Sequence, residues 1–144
     1  MDNNVVYNTI HDLCLTGNFK IIKKYHLHLL SRNLMTKNNN ALLRLTCYLK
    51  HLDIAKLMHK THCFSQDDVQ TDDNSIYRYA CVRAHFEIVK WLVQTFEVNF
   101  TGIDMFNHFA FRLSCQKRNL NAMEWFIQTY SENVNDSKSM PNTK

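Results

Sequence analysis

Cys14, Cys47, Cys81 and Cys115 stand 33, 34 and 34 residues apart, and a related segment opens at each: CLTGNFKIIKKY, CYLKHLDIAKLM, CVRAHFEIVKWL and CQKRNLNAMEWF. Asn18, His51, His85 and Asn119 correspond, as do Phe19, Leu52, Phe86 and Leu120. Self-similarity at this interval is the signature of a repeat array, in which each unit buries its apolar face against its neighbours. The expected fold is all-α: a helical solenoid of four helix-pair repeats with short inter-repeat loops. The repeats fall at about 5–35, 36–69, 70–103 and 104–134, forming one domain over 1–134. Residues 135–144 are polar, lack an apolar period and read as a flexible tail.

Within each repeat the apolar spacing predicts two short helices. In the third, Ile76, Tyr77, Ala80 and Cys81 give one stripe, and Phe86, Val89, Leu92, Val93 and Phe96 give another beyond Arg83. The turn between them holds Gly17 in the first repeat, a residue suited to the left-handed conformation that closes a helix. Lys50, Ala84 and Arg118 replace it later, where that conformation costs about 1 kcal/mol. Asn18 and Asn119 suit the N-cap of the second helix, while Asp53 and Glu87 place carboxylates in its positive first turn.

Two glycines and one proline argue against a β-sandwich or a glycine-loop nucleotide fold. The N-terminal segment has no basic stretch followed by an apolar core, and no apolar run reaches the roughly 18 residues of a membrane span. Four of the five cysteines occupy one equivalent site in successive repeats, too far apart for disulfides if stacked about 10 Å apart. A reducing compartment is therefore expected, the cytoplasm first and the nucleus also open. The formal net charge of +4 is mild and sets no strong preference for nucleic acid or membrane.

The run Ala84-His85-Phe86-Glu87-Ile88-Val89, echoed by Lys50-His51-Leu52-Asp53-Ile54-Ala55, resembles the opening of the second helix of the ankyrin repeat. The family's Thr-Pro start is absent, Arg44, Arg78 and Arg112 stand near the place of its histidine, and the glycine ending its second helix is missing. The Tyr-Arg-Tyr-Ala-Cys and Lys-Trp-Leu-Val segments look most like ankyrin-type proteins of large cytoplasmic DNA viruses, such as the multigene-family proteins of African swine fever virus and amoebal giant-virus proteins. This resemblance implies an intracellular, non-enzymatic protein that binds a host factor, with innate-immune signalling as one setting, and no cofactor.

Several residue groups invite chemical readings. Cys47 with His51, and Cys81 with His85, form C-x3-H pairs of competent zinc donors, which would suit a hydrolase. Asn at the same place in the first and fourth repeats favours packing instead, with cysteine acting as a small hydrophobe. His59, His62 and Cys63 suggest a nucleophile pair, but no third group orients the imidazole, and helix capping is the simpler role. Trp91 and Trp125 mimic a ligand-stacking pair, yet equivalent positions in successive second helices point to burial. The Arg44, Arg78 and Arg112 column offers a nucleic-acid reading, the alternative function; the ankyrin resemblance implies instead a structural role, hydrogen-bonding the loop of the same or the adjacent repeat.

The expected function is protein recognition on a rigid face built from inter-repeat tips and the exposed ends of the first helices. Carried over from the ankyrin resemblance, that face comprises Lys37, Asn38, Asn40, Tyr48 and Leu49; Thr71, Asp72, Asn74, Val82 and Arg83; and Met105, Phe106, His108, Gln116 and Lys117. No catalytic, cofactor or metal residue is assigned. Leu120, Met123, Trp125, Phe126 and Ile127 leave an apolar end that a homodimer would cover.

Overall fold

The computed structural model describes residues 2–25, 31–96 and 104–138; within these, the side chains of Tyr25, Arg32, Asn39, 71–73, 104–106 and 130–138 lie outside the described set. Every regular element among the described residues is an α-helix. These are α1 (Asn3–Thr16), α2 (Phe19–Tyr25), α3 (Arg32–Met35), α4 (Lys37–Tyr48), α5 (Leu52–His62), α6 (Gln66–Val82), α7 (Phe86–Thr95), α8 (Asp104–Gln116) and α9 (Leu120–Lys138). None is long and apolar enough to cross a membrane. The chain divides into two compact units, Met1–Val98 and Asn99–Lys144.

In the first unit the helices pair as α1/α2, α4/α5 and α6/α7. Helices α1, α4 and α6 lie side by side as one layer, and α2 packs on α5 in the other. The second layer continues to α7 through His59, whose ring meets Phe96 at 4.9 Å and Trp91 at 6.2 Å between centroids. Ile10, Cys14, Leu43, Cys47, Ile54, Met58, Ile76, Cys81 and Val89 are buried among these layers. In the second unit α8 and α9 pair, with Ala110, Ser114, Ala122 and Phe126 buried.

All four turns between paired helices close by the same two hydrogen bonds. The N–H of Gly17, Lys50, Ala84 and Arg118 donates to the carbonyl of Cys14, Cys47, Cys81 and Cys115, respectively. The next N–H, of Asn18, His51, His85 and Asn119, donates to Leu13, Thr46, Ala80 and Ser114. This is the Schellman arrangement, and φ at its left-handed residue is 69°, 68°, 58° and 53° in the four turns. Lys50, Ala84 and Arg118 accept a conformation unfavourable to a Cβ because the bonds satisfy carbonyls that the helix end would orphan.

The segment between the second and third repeats differs from the expected short loop. Residues 66–73 are helical and run into the first helix of the third repeat, making α6 a 17-residue element. The cause is a capping box: Ser65 accepts from the Asp68 N–H at 3.1 Å, and Asp68 accepts from the Ser65 N–H at 2.8 Å. Phe64 and Val69, the staple positions around that cap, are both buried. Asn40 and Asn74, 34 residues apart, take left-handed φ of 62° and 57° where the buried stretches of α4 and α6 begin. Helix α9 continues to Lys138, so residues 135–138 of the segment expected as a tail are helical; residues 139–144 lie outside the described residues.

Candidate functional site

The repeat position that opens each second helix carries two chemistries. Asn18 and Asn119 cap their own helices: Asn18 Oδ1 accepts from Ile21 N–H at 3.4 Å and Asn119 Oδ1 from Ala122 N–H at 3.0 Å. His51 and His85 make no such cap. Instead each lies against the turn of the preceding repeat. A Cβ at Gly17 would stand 2.5 Å from His51 Cε1, and the His85 imidazole hydrogen-bonds the Cys47 carbonyl. His85 Nδ1 is buried without a hydrogen-bond partner. Burial, then the cations Lys50 and Arg83, hold the His85 pKa below its ordinary value, against the raising effect of that hydrogen bond.

The cysteines paired with these histidines in sequence are not poised for chemistry. Cys14, Cys47 and Cys81 are buried, and desolvation pushes each thiol up to about 12, which suppresses the thiolate needed for nucleophilic or ligand roles. No group of three or more His, Cys, Asp or Glu among the described residues is arranged to hold a metal. Cys115 departs from the ladder. It is exposed, because the α8 face buried in its unit is that of Ala110 and Ser114, one residue round from it.

His59 and Cys63 do not form a nucleophile pair. The His59 ring packs against Phe64, Trp91 and Phe96, and Cys63 ends the helix in a left-handed conformation, its N–H on the His59 carbonyl at 2.8 Å. Trp91 is buried against Phe96, with centroids 5.7 Å apart, so its area serves the core. In the arginine series, Arg44 Nη2 donates to the Asn38 carbonyl at 2.8 Å, a bond within its own repeat. Arg44 and Arg78 are half-buried, while Arg112 is exposed with its guanidinium 5.8 Å from the Phe109 ring.

The face expected for partner binding is only partly a face. Asn40 is 2 % exposed, and its amide donates to the Asp68 carbonyl at 3.0 Å; it pins α4 to α6 and is removed from the binding set. Lys37 lies over the Tyr7 ring at 4.8 Å and reaches Asn4 Oδ1 at 3.4 Å. Asn38 is exposed but its carbonyl serves Arg44, and Asn74 is half-buried at the left-handed junction. Thr71, Asp72, Met105 and Phe106 have side chains outside the described residues. In the second unit His108, Gln116 and Lys117 are exposed.

What the first unit does bring together lies at the C-terminal ends of α4 and α6. The Tyr48 and Tyr79 rings meet at 4.1 Å between centroids, tilted by 30°, and the Arg83 guanidinium lies 5.2 Å from the Tyr79 ring. Beside them Leu49 is 40 % and Val82 48 % exposed. Tyr79 was absent from the expected set. Its equivalent in the second repeat is Leu45, so the repeat alignment marks it as an ordinary apolar position and hides its contact with Tyr48.

The apolar end expected on the last repeat also divides. Leu120 and Ile127 are 67 % and 52 % exposed, but Phe126 is 2 % exposed and packs edge-on to Phe111 and Trp125. It is a core residue of its own unit. Comparisons with protein-family models, curated proteins and solved structures return no match.

Proposed function

We propose that this chain is a non-enzymatic protein-recognition module, an ankyrin-like solenoid whose binding face is the exposed ends of its first helices. The observation that carries the reading is the Tyr48, Tyr79 and Arg83 contact cluster, with exposed Leu49 and Val82 next to Tyr48 and Arg83 in sequence. Tyrosine and arginine dominate interface energetics when held rigidly beside apolar surface. Here their geometry is set by packed helices and repeated turns, so little ordering cost falls on binding. Four identical Schellman turns at the repeat period support the solenoid part of the proposal. The host-factor setting implied by the viral ankyrin-type resemblance belongs to the same reading.

Leu49→Ser with Arg83→Ala tests it, because both side chains are exposed whereas Tyr48 is half-buried by its ring contact. Partners captured by the wild-type chain from lysate and identified by mass spectrometry should be lost, with the helical circular dichroism signal and melting temperature unchanged. Unaltered capture by a folded double variant would place the binding face elsewhere.

A further inference from the structure

Resting on the proposed recognition face, we infer that its occupant is an acidic peptide segment carrying apolar or aromatic side chains. The face sits at the turns that close α4 and α6. Tyr48-Leu49-Lys50-His51 and Val82-Arg83-Ala84-His85 contain two cations and no carboxylate. Lys50 and Arg83 are both exposed, and neither forms an ion pair among the described residues. The nearest carboxylates along the chain, Asp53 and Glu87, open the following helices: Asp53 accepts from the Ile54 N–H at 2.9 Å, and Glu87 pairs with Lys90 at 3.4 Å. Burial first, and Lys50 and Arg83 after it, hold the His85 pKa below its ordinary value, so both cations act on one imidazole.

Charge and surface therefore favour one partner chemistry. Arg83 is exposed with its guanidinium 5.2 Å from the Tyr79 ring, a contact that restricts its position and suits a carboxylate. Leu49 and Val82, each next in sequence to one of these cations, are exposed and supply area for an apolar side chain. The matching turn of the second unit, Gln116-Lys117-Arg118-Asn119, is also basic and acid-free.

A fluorescein-labelled peptide alternating Glu with Leu and Phe is the probe, titrated with the full chain and followed by fluorescence anisotropy. Its controls are the same peptide with Lys for Glu, one with Ser for Leu and Phe, and single-stranded DNA. The acidic apolar peptide should bind at least about tenfold more tightly than each control, and Lys50→Glu with Arg83→Glu should weaken it about tenfold or more. Arg83→Gln alone, also exposed, should give a smaller loss and serves if the double variant does not fold. No binding of the acidic apolar peptide, equal binding of any control, or binding indifferent to both sets of variants overturns the inference. If the peptide fails while partner capture still depends on Leu49 and Arg83, the acidic class is wrong and the recognition face stands. Capture that ignores those residues removes both.

Discussion

Gly17 and His51 show how one residue's freedom is set by a neighbour in the next repeat. Gly17 has φ of 69°, and the His51 ring occupies the space where a Cβ would point. The later turns hold Lys50, Ala84 and Arg118 at similar φ, so backbone conformation alone does not demand glycine. Gly17→Ala should cost about 2–4 kcal/mol, combining about 1 for the left-handed Cβ with about 1–3 for overlap with the imidazole. In a His51→Ala background only the conformational part, about 1 kcal/mol, should remain. Urea denaturation of the four chains of this cycle measures it, and an equal cost in both backgrounds would show that the ring yields without penalty.

At the scale of elements, α6 joins two pieces of different origin. Residues 75–82 are a repeat helix, held by burial of Ser75, Ile76, Tyr77, Ala80 and Cys81. Residues 66–73 depend on the Ser65–Asp68 cap and the buried Val69, with Asn74 left-handed between the pieces. Ser65→Ala should cost about 1 kcal/mol, and the loss should be local. Hydrogen exchange is expected to speed up at amides 69–73 and stay unchanged at 77–82; equal acceleration of both pieces would mean that α6 opens as one helix. The S-x-x-D signature was present in the sequence, within a segment whose Asp, Asn and Gln content reads as loop. Capping chemistry and two buried apolar residues outweighed that composition.

For the whole molecule, the cysteine ladder offers a readout of how the units open. Cys14, Cys47 and Cys81 all belong to the first unit and are buried with thiols pushed up to about 12, while Cys63 and Cys115 are exposed. A thiol reagent at neutral pH should label Cys63 and Cys115 promptly, and the other three only through opening of the first unit. If that unit opens as one body, mass spectrometry will find Cys14, Cys47 and Cys81 labelled at a common slow rate. Rapid labelling of any one of them in the native state would mean that its repeat frays independently.

The 33- to 34-residue period determined the helix pairs, the position of every Schellman turn and the burial of the first three ladder cysteines, because these depend on local hydrogen bonding and on faces repeated along the chain. Asn18 and Asn119 were legible as caps for the same reason: the bond is to a backbone group three residues away. Tertiary structure alone decided which equivalent positions are not equivalent in space. Asn40 became an inter-helix pin, Cys115 stayed exposed, Phe126 entered a core, and Tyr79 joined Tyr48 and Arg83. Periodicity places a residue on a helix face, but whether that face meets another helix or water depends on neighbours distant in sequence.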